Sequence, residues 1–251
     1  MKLFKFGMSG AALALAATSP VSAQDVSTKI GPWMNTVEVT ETGHVIGNPD
    51  AETVLTEFVS YTCSTCARFS VEGDPALDLV YISTGRLRFE VRPFIRNALD
   101  LTISMLVACG DPKKFKGNHA MFLRSQGKWL PQAANAPKSQ QGIWGRGDRG
   151  ARMSMSSALG LSDKMIKQRG LSRVEVNTCL ADDAKAQSLM ANTNAAAAQF
   201  DIDGTPTFAI NGEVLPEVHG WEALYPALTA HFEALRNPNA EPELGESQFD
   251  L

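Results

Sequence analysis

The stretch EFVSYTCSTCARF, residues 57–69, decides the fold of this chain. It joins a run of β-forming residues, Val54 to Tyr61, to a run with apolar side chains at helical spacing, Cys63 to about Val80. Two sulfurs three residues apart across a first helical turn lie close enough to form a disulfide. The free N–H groups and positive dipole end of a helix also favour the first cysteine as a thiolate, the reactive form. The junction therefore predicts a redox-active dithiol.

The same C-x-x-C spacing occurs in zinc sites, in haem attachment sites and in inert structural disulfides. A zinc site needs a second pair of Cys or His ligands at close spacing, whereas Cys109 and Cys179 stand apart with no histidine near them. Haem attachment needs a histidine directly after the second cysteine, and that position is Ala67. The sequence thus predicts no metal site and favours the redox dithiol, with an inert structural disulfide as the open alternative.

The N-terminus has the pattern of a cleaved signal peptide. Two lysines precede an apolar run from about Phe6 to Ala17, and a proline and small residues follow up to Ala23. A membrane span needs roughly 18 to 20 apolar residues, and this run is shorter. Residues 1–23 are therefore predicted to be removed on export to the periplasm, where disulfides persist. The chain has 23 basic and 27 acidic residues, which is not the balance of a nucleic-acid-binding protein.

The rest of the chain divides by its periodicity. A possible short strand, Val37 to Thr40, lies in an N-terminal extension at 24–50, and a period-two run at 87–91 follows the first helix, which completes a βαβ unit. Helix formers dominate 98–200, where helices are predicted at about 112–124, 148–159, 162–169, 173–180 and 182–199, while the polar stretch 127–150 has no assignment. A hairpin at 207–215, turned by Asn-Gly, and a helix at 221–235 then precede a predicted disordered acidic tail, 237–251.

Two motifs on either side of the helical region give the chain a family resemblance. Residues 57–66 are similar to the active-site strand and helix start of DsbA-like thiol-disulfide oxidoreductases, and GTPTF at 204–208 resembles their cis-proline loop. The resemblance covers about residues 45–235. It implies an α/β thioredoxin fold, built from 51–97 and 201–236, with a large helical insertion at 98–200 between the βαβ unit and the C-terminal hairpin and helix.

The resemblance also implies roles for the site residues. Cys63, at the helix end, would be the nucleophile, and Cys66, one turn further in, would resolve the mixed disulfide. Pro206, if cis, would hold the backbone of Thr205 beside Cys63, where an extended substrate pairs like an added strand. The alternative for Pro206 is an ordinary trans turn. The family's usual Pro-His pair between the cysteines is here Ser64-Thr65, which predicts a weaker oxidant.

Glu57 matches the family's buried acid beneath the disulfide. Burial would raise the pKa of this carboxyl group and let it relay the proton of Cys66, with Arg88 on the next strand as its partner. The alternative is a position at the wet edge of the sheet. In an oxidising compartment the two remaining cysteines, Cys109 and Cys179, are expected to be joined, which stabilises the fold by roughly 4 kcal/mol; two buried free thiols are the alternative.

These features predict a monomeric periplasmic enzyme that donates or exchanges disulfides with reduced or misoxidised substrate proteins. It is predicted to use no cofactor and to bind no nucleic acid. By resemblance, a quinone-linked membrane partner would reoxidise it. Two other functions stay open: a disulfide reductase or isomerase kept reduced by a membrane donor, and a non-catalytic thioredoxin-fold protein that binds metal.

Overall fold

The computed structural model describes residues 31–238 of the 251-residue chain. The predicted signal peptide, residues 1–23, lies outside the described residues, and so does the predicted acidic tail from residue 239 onward. Within the described part, no helix is both long enough and apolar enough to cross a membrane.

A six-stranded sheet forms the centre of the molecule. Its strands are β1 (Val37–Val39), β2 (His44–Gly47), β3 (Thr53–Val59), β4 (Leu87–Pro93), β5 (Thr207–Ile210) and β6 (Glu213–Val214). They lie in the order β1-β2-β4-β3-β5-β6; β3 and β4 are parallel and the other neighbours are antiparallel. Strand β3 therefore lies between β4 and β5. The residues that follow it leave the sheet near the middle of the end formed by its C-terminus.

The crossover from β3 to β4 is helical but interrupted. The sequence predicts one helix from Cys63 to Val80, whereas the structure has α1 (Ser64–Glu72), α2 (Asp74–Leu77) and a π-helical turn at Asp78–Ile82. The break lies at Gly73, where a Cβ atom would stand 2.4 Å from the Phe69 ring. Pro75, which has no N–H to continue the ladder of α1, takes the first turn of α2 instead.

The insertion between β4 and β5 is helical throughout. Its helices are α3 (Ala98–Val107), α4 (Phe115–Arg124), α5 (Gln126–Ala134), α6 (Lys138–Trp144), α7 (Arg149–Ala158), α8 (Leu161–Arg169), α9 (Arg173–Ala181) and α10 (Asp183–Phe200). The stretch 127–150, which had no assignment from sequence, contains α5 and α6. These helices are mostly polar, and each is held by one buried tryptophan, Trp129 or Trp144. Such packing stabilises short helices that carry a weak periodic signal.

The structure adds a strand that the periodicity did not predict. All four residues of β2 are buried, and they pair with β4, with His44 opposite Val91. Gly47 ends the strand at φ 127°, and a Cβ atom there would lie 2.5 Å from the Leu87 carbonyl oxygen. A four-residue strand that begins with histidine and ends with glycine is too short to show an alternating pattern.

The C-terminal elements complete the predicted fold. Asn211 and Gly212 have φ values of 50° and 84°, as a two-residue hairpin turn requires, and α11 (Trp221–Arg236) follows β6. One hydrophobic core runs from the sheet through α1 and α11 into the insertion, including Leu55, Phe69, Leu106, Phe122 and Leu228. The predicted thioredoxin fold with a large helical insertion is confirmed, and the insertion shares the core that supports α1.

Candidate active site

Cys63 lies between β3 and α1, directly before the first residue of α1. Its backbone is extended, with φ −89° and ψ 123°, and its sulfur accepts a hydrogen bond from the Cys66 N–H at 3.4 Å. The side chain of Cys63 thus caps the helix, and only 6% of the residue is exposed. In the dithiol state described here, the Cys63 thiol donates to the carbonyl oxygen of Thr205 at 3.0 Å.

The surroundings of the two sulfurs separate their pKa values. A hydrogen bond from the Cys66 side chain, with further bonds from the Thr205 side chain and the backbone N–H groups of Cys66 and Thr65, lowers the pKa of Cys63 to about 5 although burial opposes it. Burial raises the pKa of Cys66, which is fully inaccessible, well above its ordinary value. At neutral pH this arrangement holds a Cys63 thiolate beside a Cys66 thiol, and so favours Cys63 as the attacking and leaving sulfur.

The loop before β5 forms the second wall of the site. The Thr205–Pro206 peptide bond is cis, and Pro206 is buried while Thr205 is partly exposed. The Pro206 carbonyl oxygen lies 3.1 Å from Nδ1 of His219, and Arg96 Nη1 lies 3.5 Å from the Thr205 hydroxyl oxygen. Backbone and side-chain contacts from three parts of the chain therefore hold Thr205 against the reactive sulfur.

Glu57 lies on β3 beneath the cysteine pair, with no exposed surface. Both of its carboxylate oxygens are buried without a hydrogen-bond partner among residues 31–238. Burial, together with the nearby charges of Asp74 and Cys63, raises the pKa of this carboxyl group well above its ordinary value. An uncharged, proton-bearing carboxyl group near Cys66 is the chemical form that this environment favours.

The predicted partnership of Glu57 with Arg88 is wrong. The parallel pairing of β3 with β4 places Glu57 opposite Val91 and Arg88 opposite Val54. Alternate residues of a strand point to opposite faces, so Arg88 faces away from the cysteines. Its guanidinium group instead donates to the Pro49 carbonyl oxygen at 3.4 Å.

Two buried polar residues that sequence reasoning did not select hold the backbone of the site. Gln126, the first residue of α5, donates from Nε2 to the carbonyl oxygens of Tyr61 and Cys63, at 2.8 Å each. Asp100, on α3, accepts from the Tyr61 N–H at 2.8 Å. Asp100 interrupts an apolar helical run, and an acid within an apolar run is the same signal that selected Glu57. A glutamine that becomes buried gives no comparable signal in a single sequence.

The comparisons with known proteins agree with this geometry. The family model described as "Thioredoxin" matches residues 39–230. The chain belongs to the thioredoxin family. It is 30% identical, over 70% of its own length and 60% of the relative's, to a Rickettsia bellii protein named as a protein-disulfide oxidoreductase. The chain thus spans less than two thirds of that curated relative.

Two solved structures extend the comparison. A protein-disulfide isomerase from Novosphingobium aromaticivorans has a TM-score of 0.72 and 35% identity, with 76% of this chain and 97% of that chain covered. Alpha-DsbA1 of Wolbachia pipientis has a TM-score of 0.59 at 19% identity, with 75% and 88% covered, a likeness that concerns the fold alone. Together with the family match, these findings confirm the resemblance to DsbA-like thiol-disulfide oxidoreductases.

The other predicted residues of this thioredoxin-family chain lie as follows. Ser64 is exposed and Thr65 partly so, and it is the backbone N–H of Thr65 that acts on the Cys63 sulfur. Cys109, just after α3, is joined by a disulfide to Cys179 in α9, as predicted, and the bond links two segments of the insertion. Among residues 31–238, no group of three or more His, Cys, Asp or Glu side chains is placed to hold a metal ion.

Proposed function

We propose that this chain is a periplasmic thiol-disulfide oxidoreductase that donates or exchanges disulfides with substrate proteins through Cys63 and Cys66. The observation that carries the proposal is the asymmetry of the pair. Cys63 caps a helix and has a pKa lowered to about 5, while the fully buried Cys66 has a raised pKa. Because Cys66 is fully buried, a substrate thiolate reaches the Cys63 sulfur, so a disulfide between the two opens with Cys63 bound to the substrate and Cys66 released.

The reaction begins with the oxidised pair. A substrate thiolate attacks the Cys63 sulfur, which forms a mixed disulfide, breaks the Cys63–Cys66 bond and leaves the electron pair on Cys66. A second substrate thiolate then attacks the substrate sulfur of the mixed disulfide and releases Cys63 as a thiolate. The substrate loses two electrons and gains a disulfide, and the enzyme pair gains both electrons. The low pKa of Cys63 favours this last step because a stable thiolate leaves faster.

Cys66 has to gain a proton when it is released, since burial disfavours its thiolate. Glu57 lies beneath the pair, and burial, which raises its pKa, favours the proton-bearing form of the carboxyl group. We assign to Glu57 the transfer of this proton to Cys66. In the reverse reaction, the Glu57 carboxylate takes the proton back as Cys66 attacks the mixed disulfide.

The substrate backbone docks beside Thr205. The Thr205 carbonyl oxygen, 3.0 Å from the Cys63 sulfur, is free to accept from a substrate N–H once the Cys63 thiol is consumed. An extended segment that pairs there is recognised through its main chain, so many sequences are accepted. This mode of binding suits an enzyme that acts on proteins rather than on one small molecule.

Location, partners and redox strength complete the proposal. The N-terminal pattern at 1–23 supports export, and the resemblance supports reoxidation by a quinone-linked membrane protein, a monomeric state and no cofactor. The dipeptide Ser64-Thr65 has no cation to act on Cys63, which supports an oxidant of moderate strength. A Thr65→His substitution should then lower the pKa of Cys63 and raise the reduction potential of the pair.

The central test is to trap substrates in cells. The full chain carrying Cys66→Ser, in acid-quenched periplasmic extracts, should form mixed disulfides with other proteins through Cys63. The matched control Cys63→Ser/Cys66→Ser should form none. Adducts that persist in the control, or a Cys66→Ser protein that stays free of adducts, would contradict the proposal. Metal analysis of the purified wild-type protein, with and without reductant, separates the metal-binding alternative.

The similarity to the Novosphingobium isomerase favours a second candidate, disulfide isomerisation. An isomerase acts from the reduced pair, whereas an oxidase acts from the disulfide. Thiol trapping of the wild-type protein in cells distinguishes them: a mainly oxidised pair supports disulfide donation, and a mainly reduced pair supports isomerisation. Rates of oxidation of reduced ribonuclease and of recovery of scrambled ribonuclease give the same distinction in vitro.

A further inference from the structure

A cavity of about 660 Å³ opens in the helical insertion. Its lining comes from the start of α3, the turn joining α6 to α7, and one side of α10. Buried Leu101 and exposed Met190 contribute apolar surface, and Arg96, Arg146 and Arg152 contribute positive charge. The cavity lining therefore combines apolar and cationic side chains.

Two lining residues connect the cavity directly to the active site. Arg96 Nη1 lies 3.5 Å from the hydroxyl oxygen of Thr205, whose carbonyl oxygen contacts the Cys63 sulfur at 3.0 Å. Asn97 donates to the hydroxyl of Thr62, the residue before Cys63, at 2.9 Å. The Arg96 guanidinium is thus within about three residues of extended polypeptide from the sulfur.

The charges of the cavity are only partly compensated from within the protein. Arg152 is buried and fixed, since it donates to the Gly147 and Leu180 carbonyl oxygens and to the Asp183 carboxylate at 2.5 Å. It neutralises Asp183, the one acid that lines this cavity. The remaining two cations, Arg96 and Arg146, therefore give the site a positive balance on a chain whose net charge is −4.

Both of these cations are accessible to a ligand. Arg96 is exposed and forms no ion pair with any carboxylate of the described residues; its guanidinium reaches the neutral hydroxyl of Thr205. Arg146 pairs with Asp148 at 3.2 Å, but both side chains are more than half exposed, at 61% and 53%. An ion pair that is so exposed contributes little and exchanges readily for another carboxylate.

We infer that this cavity is a substrate subsite that selects polypeptide segments with an acidic side chain within about three residues of the reacting cysteine. The acidic group contacts Arg96 and Arg146, and an apolar neighbour lies against Leu101 and Met190. The inference rests on the proposed function, because it concerns the substrate held at Cys63. It adds side-chain selectivity to a docking edge at Thr205 that by itself recognises only main chain.

The test uses reduced peptides with one cysteine and a glutamate three residues before it or three residues after it, each matched with a glutamine version. The Cys66→Ala protein is first converted to its Cys63–glutathione mixed disulfide with glutathione disulfide. Each peptide thiolate then attacks the Cys63 sulfur and displaces glutathione as its thiolate, and the equilibrium share of each peptide mixed disulfide is measured by mass spectrometry in competition. At low salt the glutamate peptide should exceed its glutamine match by about threefold or more in one of the two placements. The preference should fall towards one in high salt, which screens exposed charges.

Variants made in the same Cys66→Ala background identify the side chains responsible. Arg96→Gln/Arg146→Gln should remove the preference, while Arg173→Gln, an exposed arginine of α9 outside the cavity, should keep it. Any change in the general reactivity of Cys63, including one caused by the lost Arg96–Thr205 contact, affects both peptides equally and cancels in the ratio. The glutamate and glutamine peptides can differ in the reactivity of their own thiols. Dividing the peptide ratio for the Cys66→Ala protein by the ratio for the double variant removes that difference.

Two negative results have different meanings. If mixed disulfides form but the glutamate preference is absent, or survives in Arg96→Gln/Arg146→Gln, the subsite is refuted and the proposed function stands. If no mixed disulfide forms with either peptide, the proposed function itself fails and the subsite fails with it.

Discussion

The lowered pKa of Cys63 should depend mainly on a hydrogen bond from Cys66, and two substitutions at Cys66 isolate it. Cys66→Ala removes the donor, which is the largest cause of the lowered pKa, and leaves the backbone N–H of residue 66 in place. Cys66→Ser keeps a donor of similar size. A hydrogen bond to a charged group contributes about 1.5–3 kcal/mol, and one pKa unit corresponds to about 1.4 kcal/mol. Cys66→Ala should therefore raise the pKa of Cys63 by about one to two units.

The assay is the ultraviolet absorbance of the thiolate as a function of pH, repeated as the rate of alkylation of Cys63. Wild-type reduced protein should titrate at about 5, Cys66→Ser close to it, and Cys66→Ala one to two units higher. Cys63→Ala is the control, and it should show no transition near this pH. Equal midpoints for Cys66→Ala and wild type, or an equal rise in Cys66→Ser, would refute the assigned cause.

Cys109→Ala should lower the unfolding free energy by about 2–5 kcal/mol, because it opens a covalent link between residues 70 apart in the chain. Calorimetry measures this loss, and the rate of Cys63 alkylation should stay unchanged. Labelling of Cys109 as a free thiol in oxidised wild-type protein would contradict the prediction. Glu57→Gln should stabilise the protein increasingly as pH rises from 4. A carboxyl group whose pKa is raised by folding contributes its full stabilising free energy below its unfolded pKa and loses it as the pH rises towards the folded pKa, whereas glutamine does not titrate. Denaturant unfolding at several pH values measures this, and a difference in unfolding free energy between variant and wild type that stays constant with pH would count against it. Gln126→Leu should lower the unfolding free energy by about 2–4 kcal/mol, because it leaves two buried carbonyl oxygens without a hydrogen-bond donor. It should also broaden the NMR signals of the active site. A variant as stable as wild type would contradict this role of the Gln126 amide and show that water replaces it.

The sequence predicted the strongly periodic elements well and the weakly periodic ones poorly. The alternation of Leu87, Phe89 and Val91 predicted β4, and the Asn211-Gly212 pair predicted the hairpin turn, because both signals are local. Strand β2 and helices α5 and α6 were missed because they owe their stability to packing. β2 is buried between its two neighbours, and the two helices depend on Trp129 and Trp144.

The candidate site divides in the same way. The spacing of Cys63 and Cys66 at a strand-to-helix junction predicted dithiol chemistry, since a helix start supplies the N–H groups that favour a thiolate wherever such a junction forms. Glu57 could be selected because an acid is costly within an apolar run and so needs an explanation. Its supposed partner, Arg88, was wrong because strand register, which decides the face on which a side chain lies, depends on pairing between distant segments.

Sequence by itself therefore selected the residues that we propose carry the redox chemistry, and it determined the fold class that presents them. Tertiary structure alone decided what surrounds them: the Thr205 carbonyl oxygen at the sulfur, the Gln126 amide that holds the backbone of Cys63, and the arginine-lined cavity from which Arg96 reaches Thr205. Thr205 lies 142 residues from Cys63 in the chain, and Gln126 lies 63 away. Contacts over such separations leave no periodic trace, because they arise only when the packed core fixes the relative positions of sheet and insertion.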